Sequence, residues 1–113
     1  MGNEITEYRK ASAEALGFTK INVYAVDQVE AMNGFVRLIW HPDKDLNQMG
    51  MVEDWLIEQH LDVKLEFEQD NGLWLAEICK VLSDGVMEIY CIHEDQSKPI
   101  AFMKAFMEYI KSK

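Results

Sequence analysis

The stretch DVKLEFEQDNGLWLAEICKV, residues 62 to 81, limits the fold more than any other part of the chain. Val63, Leu65 and Phe67 alternate with Lys64, Glu66 and Glu68, and an Asp-Asn-Gly close leads into a second β-favouring run. Alternation with period two puts one set of side chains on each face of a strand, and a glycine-closed turn between two such runs predicts an antiparallel hairpin. The charges of the first run predict that one face meets water, so the other needs cover from elsewhere in the chain.

Helical patterns supply that cover. Ile5, Tyr8, Ser12, Ala15 and Leu16 predict a first helix over about 4–16, capped by Asn3 and stopped at Gly17. From Phe18 to Val26, Ile21, Val23 and Ala25 alternate with Lys20, Asn22 and Tyr24, and FVRLIW at 35 to 40 is a second β run. The DQVEAMNG between them reads as a connection closed by an Asn-Gly turn. Pro42 disfavours helix before it, and Asp45 followed by Gln48 predicts a helix start in capping-box form, with Gln48 returning a bond to the cap. Leu46, Met49, Val52, Leu56 and Ile57 share one face of that helix, and Gly50 within it is expected to mark a close approach. Val86 to Ile92 reads as a further strand. Ser97 and Pro99 open a last helix whose stripe of Ile100, Met103, Phe106, Met107 and Ile110 is widened by Phe102 and Tyr109. That width predicts burial on two sides or pairing with a second subunit.

The expected order is therefore α-β-β-α-β-β-β-α. It describes an α+β chain, a single-domain α/β sandwich over residues 1–113 with three helices and a five-stranded, mainly antiparallel sheet. A chain of 113 residues, 49% hydrophobic, suits one core. Without an apolar run of about 18 residues or a basic start before an apolar stretch, the expectation is a cytoplasmic protein. Cys79 and Cys91 lie in apolar alternating runs and are expected as reduced core thiols.

Charge narrows the function classes. A net −9 disfavours direct contact with nucleic acid or an anionic membrane, because both repel an acidic surface. Residues 43 to 70 hold nine acids and two bases, a net −7, and the rest of the chain is nearly balanced. Such a segment reads either as a solvated face or as a surface for a host protein with a basic patch. In the second case Asp54, Glu58, Glu66 and Glu68 would steer the partner, with Met51 and Trp55 as the apolar anchors that interface centres favour.

Chemistry has little footing. There is no HExxH, paired CxxC, glycine-rich phosphate loop or nucleophile elbow, so no catalytic residue and no cofactor is assigned. WHPDKDLNQMG at 40 to 50 places His41, Asp43 and Asp45 within five positions, a weak metal or acid–base candidate. It reads first as a strand end, a turn and a cap. His60 near a helix end and His93 at a strand end read as structural.

Several of these short motifs resemble those of the phage ABA sandwich domain proteins, small phage and prophage proteins. The positions that carry the resemblance are Trp40, Pro42 and Asp45 before a helix, Trp74 and Ala76 in a strand, and Pro99, Ala101 and Ala105 in the last helix. It spans residues 35 to 110 and implies an α/β sandwich of mobile-element origin, with no activity to carry over. The leading expectation is a non-enzymatic phage-type accessory protein that binds a host macromolecule through its acidic helix and hairpin. Two alternatives remain. One is an oligomer, such as a homodimer, that binds a nucleotide where the last helices meet. The other is a small acidic chaperone resembling dimeric secretion chaperones, which place three strands before the middle helix where two are read here.

Overall fold

The computed structural model describes residues 2–24, 28–82 and 84–112, apart from the side chains of Gly2 and Asn3. The expected Asn3 cap, the far end of the first strand at Ala25 and Val26, and Ser83 lie outside the described residues. The elements run α1 (Gly2–Ala15), β1 (Thr19–Val23), β2 (Val29–Asn33), β3 (Val36–Ile39), α2 (Leu46–Glu58), β4 (Leu61–Glu68), β5 (Leu73–Val81), β6 (Met87–Asp95) and α3 (Lys98–Lys111). The α+β class with three helices agrees with the sequence reading.

The five-stranded sheet does not. Six strands form two separate antiparallel sheets, ordered β1-β2-β3 and β4-β5-β6, so the chain order is α-β-β-β-α-β-β-β-α. The missed strand is β2. Gln28, Glu30 and Asn33 dilute its pattern, yet Val29 and Ala31 alternate inward and are buried. Asn33 pairs with Val36, leaving a two-residue turn in which Gly34 takes φ 65, a conformation that costs a residue with a Cβ about 1–2 kcal/mol. A two-residue turn, here Gly34 and Phe35, requires a strand on both sides.

The chain divides into two units, Met1–Val52 and Glu53–Lys113. In the first, α1 packs on β1 and β2 and buries Tyr8, Arg9, Ser12 and Ala13. The helix ends as its glycine predicts: Gly17 takes φ 80, its amide donates to Glu14 O and the next amide, Phe18 N, donates to Ala13 O. The Phe18 ring stands edge-on to Trp40 at 4.9 Å, and Trp40 has no exposed surface. In the second unit, α3 packs on β5 and β6, burying Ala101, Phe102, Met103, Ala105, Phe106 and Tyr109. Ser97 caps this helix by accepting from Ile100 N, with proline in its first turn.

The breadth of the α3 stripe has a local explanation. Trp55 meets Phe106 and Tyr109 edge-on at 6.0 and 6.4 Å, and Tyr90 meets Tyr109 at 5.4 Å. The helix is therefore covered by Trp55 of α2 in addition to the sheet it packs on, whose own Tyr90 adds a further ring. Gly50 marks no close approach, because a Cβ built there meets nothing within 4 Å. Among the described residues no helix is long and apolar enough to cross a membrane.

Candidate functional site

The segment from Trp40 to Gly50 is held by hydrogen bonds that involve Trp40, Asp43, Asp45 and Gln48. Asp43 is buried and accepts two bonds from Arg9, from Nε at 2.7 Å and from Nη2 at 2.9 Å. Trp40 donates its indole N–H to Ser12 Oγ at 2.9 Å, and Ser12 in turn donates to Tyr8 O at 2.7 Å. Burial beside the Asp43 carboxylate pushes the Tyr8 hydroxyl well above its usual range. Asp45 accepts from Asn47 N at 2.9 Å and Gln48 N at 3.2 Å, as a helix cap should. The return bond of a capping box is missing. Asp45 N donates to His41 O, while Gln48 reaches further back, accepting from His41 N and donating to Ile39 O. Gln48 thus ties the helix to the strand that precedes it.

His41, Asp43 and Asp45 do not converge. His41 Nε2 and Asp45 Oδ2 stand 4.0 Å apart, while Asp43 is turned to Arg9. Among the described residues no group of three histidine, cysteine or acidic side chains is arranged to hold a metal ion.

The acidic set is split by the geometry of the second sheet. Cys91, His93 and Asp95 of β6 face α3: Cys91 Sγ contacts Ala105 O, His93 pairs with Glu108 at 2.8 Å, and Lys104 holds Asp95 at 2.8 Å. Their partners across the ladder are Ile78, Ala76 and Trp74, which pair in turn with Val63, Leu65 and Phe67. Side chains alternate along a strand, so Glu66 and Glu68 project from the opposite, outer face. Trp55 packs on α3 instead, half-buried, so it cannot anchor a ligand that sits on Glu66 and Glu68. Asp54 and Glu58 are exposed on α2 and Met51 is half-buried.

The outer face has its own apolar centre. Leu73, Leu75, Cys79 and Val81 of β5 lie there, flanked on β6 by Met87, Ile89 and Ile92. Val81, Met87, Ile89 and Ile92 are between 47% and 55% exposed. Around them stand Asp62, Glu66, Glu68, Glu77 and Glu94 against the lone base Lys64, all on the same face by register. A groove of about 460 Å³, lined by Ile57, His60, Leu61, Asp62, Val81 and Leu82, opens at the end of this sheet. Sequence reasoning passed over the β6 residues because a mainly apolar run, broken only by Glu88 between Val86 and Ile92, reads as buried. The available signal was topological, since the last strand of a three-stranded meander is an edge.

Nucleophilic chemistry finds no support at the two cysteines. Both are free and buried, on opposite faces of the sheet. Burial, reinforced by Glu108, pushes the Cys91 thiol up to about 11, and burial raises Cys79 as well, so both favour the unreactive protonated form. Compared with known proteins, the chain matches no family model, no curated protein and no solved structure.

Proposed function

We propose that this chain is a non-enzymatic binding module that holds a basic, apolar segment of a host protein on the outer face of its second sheet. The observation that carries the reading is the strip of Val81, Met87, Ile89 and Ile92, about half exposed and ringed by acids. An apolar centre with a like-charged rim is the arrangement in which burial supplies affinity and charge supplies steering. The resemblance of its motifs to phage ABA sandwich proteins is consistent with a phage-type accessory role in the cytoplasm. The test is fluorescence anisotropy with a labelled lysine- and valine-rich peptide. A variant with Glu66→Gln, Glu77→Gln and Glu94→Gln should bind at least tenfold more weakly and lose most of its salt dependence. Equal affinity of the two proteins would refute the reading.

One observation favours a second reading, that of a small acidic secretion-type chaperone. Three strands precede the middle helix, the arrangement on which that resemblance turned. Light scattering distinguishes it, since such chaperones dimerise. A monomer at all accessible concentrations would count against it.

A further inference from the structure

We propose that the bound segment lies as an added strand along the free edge of β6, extended, apolar at its centre and flanked by lysine or arginine. This rests on the docking face just described and specifies how that face is used. The second sheet has two edges, β4 and β6, and they differ. Along β4 the outer positions are Asp62, Lys64, Glu66 and Glu68, a charge at every second residue, which is how natural sheets block unwanted pairing. Along β6 there is no lysine and no proline, one bulge at Tyr90 interrupts the register, and Met87, Ile89 and Ile92 stand about half exposed. An edge this apolar invites a partner strand. The backbone groups supply affinity, and alternate side-chain positions supply selectivity.

Area and charge favour a basic segment over a second copy of the chain. The outer face is about 28 Å long and about 14 Å wide, from strand rise and spacing, so face-to-face pairing buries about 400 Å² per partner. That is half of the roughly 800 Å² a partner contributes to a stable interface. The second unit also holds thirteen acids and six bases, so two copies would bring like charges together. An added basic strand gains ladder bonds independent of area and meets Glu88 and Glu94 on β6 itself. The other acid of that strand, Asp95, is already held by Lys104.

The experiment uses the full chain labelled for NMR and a synthetic peptide of alternating valine and threonine with lysines at both ends. Hydrogen exchange should slow at β6 amides and shift changes should centre on Met87–Asp95. A central proline in the peptide, or Ile89→Lys in the protein, should weaken binding roughly tenfold, since each removes ladder bonds or packing at the edge. Protection at β4 instead of β6, or undiminished binding of the proline peptide, would overturn strand addition. If that peptide is still released by the Glu66, Glu77 and Glu94 neutralisations, the docking face survives without the edge. Failure of every peptide to bind removes both. Protection of β6 that grows with protein concentration in the absence of peptide would identify a second copy as the occupant and also overturn the proposal.

Discussion

The two units use polar side chains in opposite ways. In the first, Arg9 and Asp43 are buried against each other, and Trp40, Ser12 and Tyr8 O complete a chain of internal bonds. In the second, the acids of β4 and the rim of β5 and β6 face outward, and the outer face holds a single base, Lys64. Inward pairing trades desolvation for a defined geometry, whereas outward charge leaves the geometry to the apolar core and keeps the field available to a partner. The first unit holds its turn in place with polar groups. The second holds its helix in place with rings.

The largest effect that follows from this contrast belongs to Asp43. Asp43→Ala strands the Arg9 guanidinium in a buried site and should cost about 3–5 kcal/mol in urea unfolding. The double replacement Arg9→Met with Asp43→Leu should recover most of the loss. A cost near that of a surface pair would erase the difference between the units. Asp45→Ala comes next, at about 1 kcal/mol, because two amides at the start of α2 lose their acceptor. Gly50→Ala should stabilise by about 0.5–1 kcal/mol in the same assay, since a methyl group fits and the helix interior gains propensity. No gain would mean that the free chain does not accommodate the added methyl group.

The smallest effect tests the second unit. Lys104 and the Ser97 amide hold the Asp95 carboxyl below its ordinary value of 3.8. A lowered folded-state value means that the stabilisation is fully present above that pH and is lost as pH falls through the folded value. Lys104 is more than a third exposed, so solvent screening limits the pair to about 0.5 kcal/mol. Asp95→Asn should therefore lower stability slightly at neutral pH and leave it unchanged in strong acid. A loss that persists in acid would assign the role of Asp95 to packing.

Most of the fold was legible because its signals are local. The Gly17 stop and the Asp45 cap each act within a few residues, and each appears where the sequence places it. What was hidden depends on partners distant in sequence. The number of sheets turned on β2, where Val29 and Ala31 are too few to outweigh the polar residues around them. The candidate site was half legible: Glu66 and Glu68 follow from alternation, but the separation of Trp55 from them depends on which face of β5 and β6 receives α3. His60 shows another limit. It occupies φ 65 past the end of α2, a conformation more usual for glycine, and nothing in its local sequence announces that.

The three tryptophans are divided between the units in a way that gives the protein an optical signature. Trp40 has no exposed surface, so its emission should be blue-shifted and insensitive to acrylamide. Trp74 lies 5.1 Å beneath the Lys98 ammonium, and Trp55 is wedged between α3 rings, both half-buried. Replacing those two by phenylalanine would leave one emitter, seated in the hydrogen-bonded heart of the first unit. Its red shift on denaturation would follow the entry of water around that one ring, a record of one half of the molecule in a single wavelength.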